Sequence, residues 1–221
     1  MRYKACIFDL DGTILNTINS IAYFGNKALT EYGFDEIDTE RYKELVGNGA
    51  KELVHRMLKE NGCESNEAYE NVLKYYAETY HNDFLYKTTV YDGIRELLDA
   101  IKDMGVKIAV LSNKPHNTTK KLIDTLFGKD YFDICYGNRE GVPLKPDTTP
   151  LYSLITELGV TTNDCIYIGD SGTDMQTGKG GGLFTIGVLW GFRKRDELEE
   201  NHADLIISHP NEIMEFMCSE I

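Results

Sequence analysis

Five short apolar runs, each ending abruptly in polar residues, constrain this chain more than any other feature: Ala5–Phe8, Lys107–Leu111, Asp133–Tyr136, Cys165–Ile168 and Phe184–Leu189. They are rich in β-branched and aromatic residues and lack polar alternation, which predicts strands buried on both faces, as in a parallel sheet. Between them lie stretches with helical spacing. Ile94, Leu97, Leu98 and Ile101 run up to Gly105, and Leu151, Leu154, Ile155 and Leu158 run up to Gly159. Strands alternating with helices predict an α/β fold with a doubly wound, mostly parallel, Rossmann-like sheet.

One region breaks that rhythm. From about Asn16 to Thr88 the spacing is helical throughout, with many Tyr and Glu residues and no convincing strand. This predicts an all-helical cap domain, residues 16–88, inserted into an α/β core made of residues 1–15 and 89–221. The connections are expected near Leu15–Ile18 and Lys87–Asp92, two close-set linkers on which a lid can swing.

Bulk properties narrow the partners. At 221 residues the chain is long enough for one good core carrying a smaller domain, and no stretch is apolar enough to span a bilayer. A net charge of -13 repels nucleic acid and anionic membranes, so neither is expected as a partner, whereas a local cation and backbone N–H groups can still hold one small anion. The segment Tyr3–Phe8 is β-prone and follows none of the order of a secretion signal, which gives a cytoplasmic reading. Five cysteines, odd in number and without a Cys-x-x-Cys pair, are expected to be reduced and mostly buried.

In an open α/β sheet, ligands bind beyond the carboxyl ends of the strands, so the polar residues there carry the chemistry. Asp9, Asp11, Gly12 and Thr13 follow the first run, and Ser112, Asn113 and Lys114 the second. Lys145 and Pro146 follow the third, and Gly169, Asp170 and Asp174 the fourth. Carboxylates suit a hard cation, while a hydroxyl, a lysine and backbone N–H groups suit phosphate oxygens, so the inventory points to phosphoryl transfer.

The segments Phe8-Asp9-Leu10-Asp11-Gly12-Thr13, Ser112-Asn113, Lys145-Pro146 and Gly169-Asp170-Ser171-Gly172-Thr173-Asp174 resemble, in order, the four motifs of the haloacid dehalogenase superfamily, over nearly the whole chain. The resemblance implies an aspartyl-phosphate mechanism with Asp9 as nucleophile and Asp11 as general acid and then base. It implies Mg²⁺ at Asp9, the Asp11 carbonyl and Asp170, with Asp174 fixing metal-bound water or Lys145, and phosphate oxygens bound by Ser112, the Asn113 N–H and Lys145. Thr13 either lets the chain turn beside the phosphate or caps a helix. Lys145-Pro146-Asp147-Thr148 departs from the Lys-Pro-x-Pro pattern without touching the lysine, and Asn16 stands where Asp or Asn is common.

Within the helical insertion, Val46-Gly47-Asn48-Gly49-Ala50-Lys51 resembles a segment of phosphoglycolate phosphatases, as do Ser112-Asn113-Lys114-Pro115 and Val188-Leu189-Trp190-Gly191-Phe192. Gly47, Asn48, Gly49 and Lys51 are therefore candidate substrate-binding residues: exposed N–H groups at a helix start, with a lysine, would receive a carboxylate such as that of 2-phosphoglycolate. The plainer alternative is that Asn48 caps the helix and the glycines only turn the chain. A sugar-phosphate mutase of the β-phosphoglucomutase kind is the nearest rival; such enzymes carry Val in place of Thr13 and His where this chain has Ile21. A nucleotide or other sugar-phosphate phosphatase, or a non-catalytic phosphate sensor, also stays open.

Other signals are declined. Asp9-x-Asp11-Gly12 resembles the start of a calcium loop, but Ile14 and Ser20 stand where that loop needs Gly and Glu. The run Gly178-Lys179-Gly180-Gly181-Gly182 precedes a strand instead of following one, so it reads as a loose helix end and not a dinucleotide loop. Tyr69, Tyr75, Tyr76 and Tyr80 read as helix-packing surface. His55, His81 and His116 have no partners at metal-ligand spacing.

Overall fold

The computed structural model describes residues 2–219. In chain order, β1 (Ala5–Phe8) and β2 (Leu15–Asn16) lead into α1 (Ile18–Glu31), α2 (Thr39–Leu45), α3 (Gly49–Glu60) and α4 (Asn66–Asn82). Next come β3 (Thr89–Val90), α5 (Ile94–Asp103), β4 (Lys107–Pro115), α6 (His116–Leu126), β5 (Ile134–Asn138) and α7 (Thr149–Leu158). The chain ends with β6 (Cys165–Gly169), α8 (Gly172–Gly180), β7 (Phe184–Val188), α9 (Arg195–Glu200), β8 (Leu205–Ile207) and α10 (Asn211–Ser219). It divides into two compact units, one running to Asn16 and resuming at Val90, the other Thr17–Thr89.

The first unit is a Rossmann-like α/β fold built on a six-stranded sheet of order β5-β4-β1-β6-β7-β8, in which every pairing is parallel. β1 lies inside it with all four residues buried, which is why its sequence is an unbroken apolar run. On one face Ala5, Ile7, Ala109, Leu111 and Tyr167 pack under Leu151, Leu154, Ile155 and Leu158 of α7. On the other, Cys6 Sγ lies 3.9 Å from Met217 Sδ of α10, which packs beside α5. α5 buries Ile94, Leu97, Leu98 and Ile101.

Several boundaries differ from expectation. β4 continues past Leu111 to Pro115, with a register irregularity between those two residues. Ser112, Asn113 and Lys114 thus lie within the strand, where their polarity had suggested its end, and all three are buried. β5 spans Ile134–Asn138, one residue later at its start and two later at its end. β8 was not anticipated; three residues, two of them only half-buried, give too weak a pattern. The cysteines are free, but only Cys6 and Cys165 are buried; Cys63 and Cys135 are half-buried and Cys218 is exposed, a correction to the mostly buried set. Among the described residues no helix is long and apolar enough to cross a membrane.

The second unit is helical. α1 buries Ile18, Ile21, Ala22, Phe24, Ala28 and Leu29, and Phe24 meets Tyr80 of α4 edge-on at 5.4 Å. Tyr76 and Tyr80 are buried, Tyr75 meets Tyr32 edge-on, and Tyr69 is half-buried. Asp38 caps α2 by accepting from Glu40 N, and Ser65 caps α4 by accepting from Ala68 N.

Candidate active site

β1 aims two carboxylates beyond the carboxyl edge of the sheet. Phe8 is in register with Val110 and Ile168, and Asp9 N donates to the Ile168 carbonyl at 2.9 Å, so Asp9 begins where the strand pairing ends. The chain then turns sharply: the N–H groups of Thr13, Ile14 and Leu15 all converge on the Leu10 carbonyl at 2.9–3.3 Å. Gly12 takes φ +90 there, and a Cβ at this residue would stand 2.3 Å from Asp170 Oδ2. Thr13 is fully buried in the turn, its Oγ1 has no hydrogen-bond partner, and its carbonyl accepts from Trp190 Nε1 at 3.0 Å. Thr13 does not cap a helix; Thr17 precedes α1.

Lys145 is not at a strand end. It follows β5 by seven residues and is held by the side-chain amide of Asn113, whose Oδ1 accepts from Lys145 N at 2.8 Å and whose Nδ2 donates to the Lys145 carbonyl at 3.1 Å. The buried ammonium donates to Asp9 Oδ1 at 2.6 Å and Asp174 Oδ1 at 2.7 Å. Asp174, in the first turn of α8, also accepts from Ser171 N and Ser171 Oγ at 3.1 and 2.6 Å, a capping box that fixes its rotamer. Asp170 Oδ2 accepts from Phe192 N at 2.7 Å. Ser112 Oγ accepts from Lys114 N at 3.2 Å, and Lys114 Nζ lies 3.1 Å from each Asp11 carboxylate oxygen.

Asp9, Asp170 and Asp174 are buried, with ligand oxygens within 4.8 Å of one another; among the described residues they are the one convergent group of potential metal ligands, and no histidine belongs to it. Burial pushes the Asp9 carboxyl up to about 7, Lys145 pulling it down and Asp174 pushing it further up. Burial, then the charges of Asp174 and Asp9, hold Asp170 well above the carboxylate range. Burial disfavours the charge on Lys145, but Asp174 and Asp9 override it and keep its ammonium well above the ordinary lysine range. Three carboxylates against one ammonium leave excess negative charge among oxygen donors, a set that fits a hard divalent cation.

Gly47, Asn48, Gly49 and Lys51 belong to the helical unit. Gly47 and Gly49 take φ +112 and +83, and Lys51 is exposed. Asn48 occupies the cap position of α3 but makes no capping bond; its Oδ1 accepts from Arg56 Nη2 at 2.9 Å, so the plainer alternative of a side-chain cap is not what the structure shows. Lys114 and the side chain of Asn113 are site residues to which the sequence reading assigned no role. Tyr91 is another: burial and the charges of Asp170 and Asp11 push its phenol up. The signal available for Lys114 was its place in the strand-end cluster with Ser112 and Asn113, which names no partner for its charge.

The haloacid dehalogenase-like hydrolase family matches residues 6–188, and the chain belongs to that family. The phosphoglycolate phosphatase of Aquifex aeolicus (strain VF5) is 32% identical over 218 residues, covering 99% of this chain and 98% of its own. That of Pectobacterium atrosepticum is 28% identical, covering 96% and 91%. A crystal structure from Lactobacillus delbrueckii subsp. bulgaricus matches with TM-score 0.91 at 30% identity, covering 96% of this chain and 97% of its own. A predicted phosphoglycolate phosphatase from Haemophilus somnus, 22% identical and covering 98% and 99%, has the same fold at TM-score 0.91.

Proposed function

We propose that this phosphoric monoester hydrolase removes the phosphate from 2-phosphoglycolate, with Asp9 as nucleophile and Mg²⁺ as cofactor. The observation that carries the reading is the buried Asp9 carboxylate at the end of β1, 2.6 Å from Lys145 Nζ and grouped with Asp170 and Asp174. The relatives named phosphoglycolate phosphatase supply the substrate. A net charge of -13 favours a small free metabolite over a polyanion, in keeping with a cytoplasmic enzyme.

An Asp9 oxygen attacks phosphorus in line, the bond from phosphorus to the ester oxygen breaks, and Asp11 gives that oxygen its proton. Asp11 then takes a proton from the water that attacks the aspartyl phosphate, releasing inorganic phosphate and restoring Asp9. Lys145, the Ser112 hydroxyl and the Asn113 backbone N–H bind the phosphoryl oxygens, and the Thr13 turn keeps the chain close to them. Asp9, the Asp11 carbonyl and Asp170 would hold Mg²⁺, with Asp174 fixing metal-bound water or Lys145, and the ion's charge would neutralise the phosphate oxygens. Gly47, Asn48, Gly49 and Lys51 in the helical unit, read as a specificity cap, select the acid over uncharged esters.

The test is hydrolysis of 2-phosphoglycolate and of a small uncharged phosphate ester, with Mg²⁺ and after its chelation. The acid is the better substrate, chelation stops both reactions and added Mg²⁺ restores them. Asp9→Asn, folded by circular dichroism, keeps less than about a hundredth of kcat, a step of roughly 2.7 kcal/mol. Lys51→Ala weakens kcat/KM for the acid by roughly 1.5–3 kcal/mol and for the ester by less. Lys51 is a cleaner probe than Gly47 or Gly49, whose positive φ makes any side chain strain the backbone. Equal rates on both substrates would remove the substrate assignment, and an active Asp9→Asn would remove the nucleophile.

A further inference from the structure

Lys114 takes no part in the chemistry above, yet its position is closely determined. β4 carries it past the register irregularity, where its N–H donates to Ser112 Oγ and its carbonyl accepts from Thr119 Oγ1, both at 3.2 Å. Against that carbonyl lies Gly137 of β5, where a Cβ would stand 2.6 Å from the Lys114 oxygen. The neighbouring strand thus carries no side chain at the point where this backbone passes. From this anchored Cα the side chain, 6% exposed, brings Nζ to 3.1 Å from both oxygens of Asp11. Ordering a four-carbon stem and stripping water from an ammonium both cost free energy. A symmetric contact reached from a backbone fixed by two hydrogen bonds and passed closely by Gly137 is therefore a defined arrangement, unlike a surface pair of freely moving ends.

We propose that Lys114 is the positioning residue for Asp11, fixing the direction in which its carboxylate faces during proton transfer; this rests on the acid and base role given to Asp11 above. Asp11 stands in the turn after β1, its side chain 20% exposed, so packing alone does not set its two side-chain torsions. Proton transfer needs the carboxylate within hydrogen-bond reach of the ester oxygen, and a displacement of about 1 Å can cost roughly a hundredfold in rate. Gripping both oxygens from one fixed point removes that freedom. Lys114 touches Asp11, and its effect reaches the substrate only through Asp11.

A double-mutant cycle on the full chain tests this with two esters, 2-phosphoglycolate and 4-nitrophenyl phosphate, whose leaving group departs without being protonated. Lys114→Met, folded by circular dichroism, should lower kcat/KM for 2-phosphoglycolate by about thirtyfold and for the nitrophenyl ester by less than about threefold. Lys114→Arg should recover part of the loss. In an Asp11→Asn background, Lys114→Met should change the rate on 2-phosphoglycolate by less than about twofold, because the group it positions is gone. Equal losses on the two esters, or losses that add in the double variant, would overturn the positioning role. If Lys114→Met does not fold, Lys114→Gln carries the same cycle with the same criteria. Near-normal turnover of 2-phosphoglycolate by Asp11→Asn itself would overturn the acid and base reading, and the positioning role with it.

Discussion

Asn113 grips Lys145 by both backbone polar groups, accepting from its N–H at 2.8 Å and donating to its carbonyl at 3.1 Å. The motif resemblance assigned only the backbone of Asn113 to the phosphate, whereas its side chain anchors the lysine that lies between Asp9 and Asp174. Asn113→Ala removes both bonds inside a buried site. The expected loss is about 1–3 kcal/mol of stability for each polar group left unpaired, together with a fall in kcat as Lys145 leaves its place. Denaturant unfolding and steady-state kinetics on one preparation check this. Unchanged kcat would mean that Lys145 is held by other contacts, and unchanged stability that the two bonds do not contribute to folding.

Gly178 provides a stability prediction free of the chemistry. A Cβ on it would lie 2.4 Å from Thr185 Cγ2 and 2.9 Å from Tyr167 Cβ, so α8 approaches β6 and β7 closely only because this residue is glycine. Gly178→Ala gains helix propensity of about 1 kcal/mol but overpacks the contact at about 1–3 kcal/mol, and Gly178→Val overpacks it further. Both variants should unfold at lower denaturant than wild type, Val lowest. A stabilised Gly178→Ala would show that the helix can move away at little cost.

These two residues also mark what the sequence could and could not reveal. The strands were legible because burial on both faces leaves an unbroken apolar run, and Asp9 and Asp170 because ligand chemistry in such sheets gathers at strand ends. Ser112, inside β4, and Lys145, seven residues past β5, were legible through the motif resemblance. Gly178 read as part of a loose helix end because its partners, Thr185 and Tyr167, are distant in sequence. β4 was read as ending at Leu111 because Ser112, Asn113 and Lys114 are polar, although the site buries them. Likewise Asn48 looks like a cap until Arg56 takes its side chain. Hydrophobic periodicity reports which face an element buries; it carries no information about which polar side chains grip one another.

His116 gives the pH dependence. Its Nδ1 accepts from Gly137 N at 3.2 Å, which requires that nitrogen to be unprotonated. Burial, then the charges of Arg139 and Lys120, hold the imidazole below its ordinary value of 6.5. As the pH falls, the unfolded chain takes up the proton first, so this contribution to stability is complete above 6.5 and is lost as the pH falls through the lower folded value. In denaturant unfolding at a series of pH values between 7.5 and 5, about the range in which imidazoles titrate, wild type should lose more stability on acidification than His116→Gln. Parallel curves would remove His116 from the account.

Gly191 tests the cation site from outside the carboxylates. A Cβ there would stand 2.3 Å from Asp170 Cβ, 2.5 Å from Asp170 Oδ2 and 2.5 Å from the Gly12 carbonyl. The next residue, Phe192, donates its N–H to the same Asp170 oxygen at 2.7 Å, so the segment both crowds and orients this carboxylate. Gly191→Ala must therefore displace Asp170 or the Gly12 turn, while leaving every proposed ligand in the chain. If Asp170 holds Mg²⁺, the variant should bind it roughly 10–100-fold more weakly, as when a partner that orients a ligand is lost. Calorimetric titration of substrate-free protein reads this independently of turnover, and the Mg²⁺ concentration for half-maximal rate should rise in parallel. A folded Gly191→Ala protein with wild-type Mg²⁺ affinity would mean that the cation does not depend on the placement of Asp170, and the ligand set would have to be drawn without it.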